Sequence, residues 1–299
     1  MIITNNNIMI SYLCDFMRRF ALKVAYIGSN FHGFQRQPNQ RTVEGEIIDA
    51  LTDLELINSA NDSKFSIAGR TDKCVHSLGN VIAFNSEKEP ILNQINDFLS
   101  DEVQLIAKTS VHFGFKPRYA IMRHYRYFLK NFYDDELDIS LIGRLAKLFE
   151  GVHDFANFTK RNQRVSIREI DKIDINQIDG DNGTYQVYID VFGESFLWNM
   201  VRKMMAVFCD VGKGKLNIED VMSYFDPSFK ANIKALSPRN LILVDVRYKN
   251  IKFQYDDYAM ERFQRVLKRK MFEYEKNYSS TKNILSSLPE LNNEDYYSY

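Results

Sequence analysis

The feature that most constrains the fold is an order of strand and helix patterns that the chain runs through twice. In the first half, Phe20, Leu22, Val24 and Tyr26 alternate with other side chains, which predicts a strand. After Thr42, which suits a helix N-cap, apolar residues recur at helical spacing. The elements predicted for this half, in order, are a strand at 20–26, a helix at 43–54, strands near 64–68 and 80–84, a helix at 91–99 and a strand near 104–113.

The second half repeats this order approximately. Its predicted elements are a strand at 123–130, a helix at about 140–149 capped by Ser140, strands near 165–176 and 184–193, a long helix with an apolar stripe from Leu197 to Phe208 and Gly212 as its cap, a short helix near 218–225 and a strand at 241–248. Each half therefore approaches the ferredoxin-like, split βαβ pattern.

We predict an α+β protein whose two similar halves span 20–114 and 115–249. Residues 1–19 have no clear period and are predicted to form an N-terminal extension. Residues 250–299 are predicted to form a C-terminal extension, helical around 257–276.

Composition narrows the classes of protein that this chain can represent. Hydrophobic residues make up 45% of the 299 residues and charged residues 26%, as in globular proteins. Lys plus Arg and Asp plus Glu both number 39, so a polyanion site would need local charge segregation. Cys14, Cys74 and Cys209 lie far apart, and no run of about 18 apolar residues occurs. We expect a cytoplasmic protein without disulfides, a zinc cluster, a signal peptide or a membrane span.

The loop at 68–79 joins two predicted strands and carries the first candidate for chemistry. An Asp nucleophile must be ionised, shielded from bulk water and close to a cation, and Arg70 lies two residues before Asp72. An Asp in such a loop more often makes a turn or a bond to the backbone. From the loop alone, this second reading is the stronger one.

A basic and aromatic stretch follows at 111–130. It contains no acidic residue, and its cations are Lys116, Arg118, Arg123, Arg126 and Lys130, interleaved with Phe and Tyr. Such a mixture suits RNA, because cations meet phosphates and rings stack on unpaired bases. On a strand, Arg123, Tyr125 and Tyr127 face one way and Arg126 faces the other. The alternative is an ordinary sheet core with a solvated edge, and the stretch alone does not decide between them.

Arg202 lies at the edge of the apolar stripe of the long predicted helix. Most such residues extend along the apolar surface to solvent. An Arg there can instead hold a buried carboxylate within a cleft.

Motifs for cofactors and metals are absent from the sequence. It has no P-loop spacing, no GxGxxG after the first strand and no HExxH, and its five histidines are scattered. We therefore expect neither a nucleotide cofactor nor a catalytic metal.

Several blocks of the sequence together resemble the TruA family of tRNA pseudouridine synthases, and in particular its archaeal and eukaryotic members. The blocks occur in the order of the family and lie at 26–37, 41–45, 68–79, 115–127, 149–158, 196–202 and 235–238. The resemblance covers about residues 20–249. It implies the pseudouridine synthase fold, with a central antiparallel sheet and an RNA-binding cleft.

The resemblance also implies a function and a set of site residues. The family isomerises uridine to pseudouridine in the tRNA anticodon stem-loop, at some or all of positions 38, 39 and 40, without cofactor or metal. By position, Asp72 resembles the essential aspartate, Tyr125 the tyrosine beside the target base, and Arg70 and Arg202 the arginines that flank the aspartate. Arg118, Arg123 and Arg126 are weaker candidates for RNA contacts, and bacterial members imply a homodimer. Attack of Asp72 on C1′, addition to C6 and removal of a ribose proton all remain open.

The chain departs from the family pattern at a few positions. Cys74 stands where Gly is often found, and its Cβ is unfavourable if the backbone there has positive φ. Phe34, Lys116 and Pro117 also differ. A non-catalytic tRNA-binding protein is the alternative function, although it would not need Asp72. A metal-dependent nuclease would need carboxylate pairs that the sequence does not show.

Overall fold

The computed structural model describes residues 17–129, 137–159, 165–179 and 185–288. Its strands are β1 (Arg18–Tyr26), β2 (Ser66–Ile67), β3 (His76–Ser86), β4 (Val103–Val111), β5 (Met122–Leu129), β6 (Gly151–Asp154), β7 (Ile167–Ile170), β8 (Lys172–Asp179), β9 (Tyr185–Gly193), β10 (Leu241–Arg247) and β11 (Gln254–Tyr255). Its α-helices are α1 (Val43–Asp53), α2 (Leu92–Phe98), α3 (Ile139–Phe149), α4 (Met200–Gly212), α5 (Ile218–Met222) and α6 (Asp257–Ser286).

The main sheet has the order β11-β4-β1-β3-β10-β5-β9-β8, with β2 paired to β3. In the first half, β1 lies between β4 and β3, and β2 pairs with β3. In the second half, β5 lies between β10 and β9, and β8 pairs with β9. Both halves therefore have the strand arrangement of a split βαβ unit, and the predicted α+β fold class is confirmed. The predicted boundary at 114/115 falls between β4 and β5, and the division into two units stays a prediction.

The two halves meet where β3 runs parallel to β10. Only two residue pairs make this junction, His76 with Ile242 and Ser77 with Leu243, whereas the other strand pairings in the described residues are antiparallel. His76 is the first residue of β3. The loop that precedes β3 therefore lies at the seam between the halves.

Each half has a large apolar cluster between the sheet and its helices. In the first half, α1 and α2 pack on β1 through residues such as Leu22, Ile47 and Ile95, all of them buried. The predicted cap of α1 is confirmed, because Oγ1 of Thr42 accepts a hydrogen bond from the backbone N–H of Gly45.

In the second half, α3 and α4 cover the sheet. Phe149, the last residue of α3, is fully buried and contacts the rings of Phe155, Phe158, Phe208 and Phe225. These rings fix the two helices against the segment that follows β6.

Two predicted elements differ in the structure. The cap of α3 is Asp138 rather than Ser140, because its carboxylate accepts from the backbone N–H of Leu141. The strand predicted near 165–176 is two strands separated by Asp171. β7 forms a separate two-stranded sheet with β6, whereas β8 belongs to the main sheet.

The extensions also differ from their predicted limits. Residues 1–16 lie outside the described part, and β1 begins within the predicted extension, at Arg18. Arg19 is buried, and its guanidinium donates to the carbonyls of Lys64 and Phe115 and to the side chains of Ser66 and Asn85. These bonds tie the start of β1 to the body of the protein.

The C-terminal helix α6 is longer than predicted. Its first turns pack Phe263 and Val266 against Ala25, Ile27 and Ile106 on the sheet. Its residues from Met271 to the end are exposed. Among the helices that the structure describes, none is both long and apolar enough to span a membrane.

Candidate active site

The loop 68–75 opens into a cavity of about 650 Å³ at the seam between the two halves. The cavity walls come from the loop around His32, from 70–75, from Tyr125 on β5 and from 196–202 at the start of α4. A cavity of this size is in the range of small-ligand sites. Asp72 lies within it, with its side chain 28% exposed.

Two donors hold the two oxygens of the Asp72 carboxylate. The indole Nε1–H of Trp198 donates to Oδ1 at 2.7 Å. The guanidinium Nη1 of Arg202 donates to Oδ2 at 3.3 Å. The predicted pairing of Asp72 with the Arg at the edge of the helix stripe is therefore present in the structure. A cation and a neutral donor thus each take one oxygen of the carboxylate and hold it in place.

Arg202 is itself fixed by neighbouring groups. Its Nε donates to the carbonyl of Leu236 at 2.7 Å, and its Nη1 also donates to Oδ1 of Asn199 at 3.0 Å. The backbone N–H of Leu236 donates in turn to the carbonyl of Arg202. Because the contacts to Leu236 and Asn199 already fix the planar guanidinium, it has little freedom to move away from Asp72.

The loop that bears Asp72 packs backbone to backbone against the loop 28–34. A Cβ at Gly28 would lie 2.0 Å from the carbonyl oxygen of Val75, and one at Gly33 would lie 3.0 Å from that of Thr71. Gly33 also has a φ of +101°. The two glycines permit an approach that other residues would prevent.

Thr71 anchors the same loop to the sheet and to the neighbouring loop. Its Oγ1 lies 2.7 Å from the buried hydroxyl of Tyr26 on β1, and its carbonyl accepts from the backbone N–H of Phe34. The residue before Asp72 is thus held by both the sheet and the neighbouring loop.

Cys74 has the backbone conformation that its Cβ disfavours. Its φ is +67°, in the left-handed region, and its side chain is buried with Sγ 3.5 Å from the carbonyl of Ser29. The sequence raised this possibility because Gly is common at the equivalent family position. The loop therefore keeps the geometry that a Gly would give, at a cost in backbone strain.

Tyr125 lines the cavity from β5. Its ring meets Phe196 edge to face, with centroids 5.1 Å apart. Burial, opposed by the nearby Arg123 and reinforced by Asp72, raises the pKa of Tyr125 to about 12. Its hydroxyl therefore stays protonated at neutral pH, which suits packing against a base better than proton abstraction.

Arg70 also lines the cavity, but in a different way from Arg202. Its side chain is exposed, and within the described residues no hydrogen bond or ion pair engages it. The structure therefore does not bring Arg70 onto Asp72. It leaves a solvated cation at the edge of the cavity, where an incoming phosphate can meet it.

The three weaker candidates have three different environments. Arg123 is buried, and it donates to the carbonyls of Ala68, Arg118 and Glu194, so it holds the protein together and does not face solvent. Arg118 is exposed, with its guanidinium 4.6 Å from the ring centre of Tyr119.

Arg126 is the third weaker candidate, and it faces away from the cavity. It makes a bidentate pair with Asp190 at 2.8 and 2.9 Å and lies over the ring of Tyr188. Nε2 of His124 also contacts the same carboxylate at 2.7 Å. This network lies on the face of the sheet that is opposite the cavity.

Sequence reasoning missed Trp198 and His76 as parts of this site. Trp198 is the only tryptophan of the chain, and it lies in the block that precedes Arg202, which was the available signal. His76 links the first loop to Arg239 through its two ring nitrogens. No group of three His, Cys, Asp or Glu side chains suited to a metal ion occurs in the part of the chain described.

Comparisons with known proteins agree with the resemblance in the sequence. A family model described as tRNA pseudouridine synthase matches residues 145–249. The tRNA pseudouridine synthase A of Methanobrevibacter smithii is 48% identical over 289 residues, which cover 92% of this chain and 99% of that protein.

Two further relatives carry the same name. The protein from Methanothermobacter thermautotrophicus is 43% identical, and the aligned region covers 83% of this chain and 88% of that protein. The protein from Pyrococcus horikoshii is 40% identical, and the aligned region covers 85% of this chain and 94% of that protein. These relatives are archaeal, in agreement with the type of member that the sequence resembled. Because the similarity extends over most of both chains, this chain belongs to the tRNA pseudouridine synthase A (TruA) family of isomerases.

Proposed function

We propose that this protein isomerises uridine to pseudouridine in tRNA, with Asp72 as the reacting carboxylate. The observation that carries the proposal is the position of Asp72, which lies in the cavity between Trp198 and Arg202 with Tyr125 in the cavity wall. The names of the relatives support tRNA as the substrate. By family resemblance, we propose that the target uridine lies in the anticodon stem-loop, at some or all of positions 38, 39 and 40.

The reaction breaks the bond from N1 of uracil to C1′ of the ribose and forms a bond from C5 to C1′. The C5 proton leaves, a proton is placed on N1, and no oxidant or reductant is needed. An ionised Asp72 can attack C1′, add to C6 or remove a ribose proton. All three steps need a carboxylate held in place and partly shielded from water, which the contacts of Asp72 supply.

A uridine within an RNA helix must leave the stack before its sugar bond can be reached. The cavity can receive a displaced nucleotide, and Tyr125 offers a neutral ring beside the position of Asp72. We assign Tyr125 to stacking on the uracil, because a pKa of about 12 keeps its hydroxyl protonated at neutral pH and leaves almost no phenolate to act as a base.

The basic groups divide between substrate contacts and internal structure. Arg70 and Arg118 are exposed and are assigned to phosphates of the tRNA. Arg123 and Arg126 already have protein partners, so we give them a supporting role around the site.

Two further parts of the proposal rest on family resemblance and composition. Bacterial members of the family are homodimers, and we propose the same for this chain. Cys74 is a buried free thiol, which fits the reducing cytoplasm that we propose.

The test is pseudouridine mapping by chemical derivatisation on an unmodified tRNA with uridines at 38, 39 and 40. Wild type, Asp72→Asn and Asp49→Asn are compared with chelator present throughout, since Asp49 is an exposed carboxylate on α1. We expect signal from wild type and Asp49→Asn, and none from Asp72→Asn, which should still bind tRNA. Binding by wild type without any pseudouridine would favour the non-catalytic tRNA-binding alternative.

A further inference from the structure

Asp72 accepts a hydrogen bond from a neutral donor, the indole N–H of Trp198, which is not needed to balance the charge of the carboxylate. Arg202 already supplies a cation on Oδ2 at 3.3 Å, yet the shorter bond is the one from Trp198 to Oδ1, at 2.7 Å. The indole N–H is a donor only, so it can meet a carboxylate but cannot accept a proton from it. Trp198 thus holds the carboxylate without adding a second charge beside it.

The turn before α4 presents the indole to the cavity. Leu197 and Met200, on either side of Trp198 and Asn199, are buried in the core of the second half. Asn199 has a φ of +65°, in the left-handed region, and its side chain accepts from Arg202. The turn is therefore fixed on both sides, while Trp198 lines the cavity.

Two donors on different oxygens fix the plane of a carboxylate, whereas one donor leaves it free to rotate about the Cβ–Cγ bond. With Arg202 alone, Asp72 would keep its ion pair but lose this orientation. Orientation matters here because the reacting oxygen must approach one atom of the nucleotide, and small displacements cost rate.

We propose that Trp198 is a positioning residue, which sets the orientation of the Asp72 carboxylate through its Nε1–H and thereby raises kcat. The inference rests on the proposed role of Asp72 in catalysis. It assigns the effect to one N–H group and not to the size or the aromatic face of the ring.

The single tryptophan of the chain permits a test at that one atom. Biosynthetic replacement of tryptophan by 3-benzothienylalanine changes only position 198 and exchanges the N–H for sulfur in a ring of nearly the same shape. Replacement by 5-fluorotryptophan keeps the N–H and is the matched control. Both proteins are assayed for kcat, for KM with tRNA and for thermal unfolding.

We expect the benzothienyl protein to have a kcat about tenfold to a hundredfold lower, the range expected for a hydrogen bond to a charged group. Its KM and its unfolding temperature should match those of the fluorotryptophan protein, because shape and packing are kept. Equal kcat in the two proteins would overturn the inference. A higher KM at unchanged kcat would overturn it too, because the indole would then contact the substrate instead.

Tryptophan fluorescence provides a readout that does not depend on turnover. Because Trp198 is the only emitter of its kind, loss of the adjacent charge in Asp72→Asn should change its emission maximum, whereas Asp49→Asn should not. Identical spectra from all three proteins would overturn the hydrogen bond itself. Failure of wild type and the fluorotryptophan protein to form any pseudouridine would instead refute the proposed function, and the kinetic inference with it.

Discussion

The backbone N–H of Gly28 donates a hydrogen bond to Nδ1 of His76 at 3.2 Å. Since Nδ1 accepts, the ring proton lies on Nε2, which donates to the carbonyl of Arg239 at 3.1 Å. A neutral His76 thus joins the first loop to the segment before β10, across the seam that holds Asp72. Protonation would remove the acceptor that Gly28 needs.

The stability of the protein should therefore fall as pH decreases from about 7. Burial lowers the pKa of His76, an effect that the Arg239 carbonyl partly opposes and the Arg239 charge reinforces. The unfolded chain then binds more protons than the folded one below the ordinary histidine pKa of about 6.5, so the free energy of unfolding decreases with falling pH. The contribution cannot exceed about 1.4 kcal/mol per pH unit.

Urea unfolding at several pH values measures this effect. His76→Gln should reduce the pH dependence between about pH 7 and 5, and His112→Gln, at an exposed histidine, should leave it in place. The same pH dependence in His76→Gln and wild type would contradict the assignment.

Arg202→Lys should lower kcat by about tenfold or more while tRNA binding changes little. Lysine keeps the charge, but one ammonium cannot reproduce the guanidinium contacts to Asp72, Asn199 and Leu236. Single-turnover pseudouridine formation at saturating enzyme measures the rate. A wild-type rate in Arg202→Lys would show that charge alone is sufficient.

Arg70→Ala should raise KM more than it lowers kcat, which is the reverse of the effect expected for Arg202→Lys. The side chain is exposed at the cavity and has no internal contact to lose in the described residues. If it meets one phosphate, the slope of log K against log salt should become shallower by about one unit. Filter binding of tRNA across a salt series tests this, and an unchanged slope would rule out a phosphate contact.

Arg123→Met should destabilise the protein by about 2–4 kcal/mol, because three backbone carbonyls would lose their buried donor. Arg118→Met, at an exposed position, should change the free energy of unfolding by no more than about 0.5 kcal/mol. Denaturant unfolding compares the two. Similar small effects would mean that the bonds of Arg123 are dispensable.

Cys74→Gly should be more stable than Cys74→Ala by about 1 kcal/mol. Both variants lose the buried Sγ, but only glycine removes the strain of a φ of +67°. The difference between the two variants isolates the free-energy cost of the backbone strain, and urea unfolding measures it. A more stable alanine variant would show that the loop relaxes without strain.

The strands and helices with one buried face were predictable from the sequence. α1 follows helical spacing because one side of it packs on a core. β1 is buried on both faces, and it was predictable because large apolar residues alternate along it with Ala and Lys. β6 was not predicted, and β7 was predicted only as part of one strand with β8, since β6 and β7 each have four residues and neither buries a regular face: Val152 and Ile167 are largely exposed. Without a buried face, a short strand has no periodic signal.

The candidate site was predictable only in part. The resemblance identified Asp72, Tyr125 and Arg202, and the structure places all three at one cavity. The bond from Trp198 to Asp72 spans 126 residues, and no local pattern encodes such a pair. Arg123 was considered for RNA because its neighbours are basic and aromatic, but three carbonyls converge on it, two of them from segments far away in the sequence.

The position of β10 in the sheet sets the order in which the protein can assemble. β3 and β5 are not neighbours, and β10 lies between them. During synthesis, strands up to Val111 can already pair with one another, but the two halves cannot share a sheet until Arg247 has emerged from the ribosome. β10 is therefore the strand that joins the two halves, and the cavity around Asp72 is completed only with it, because Leu241 of β10 is part of the cavity wall.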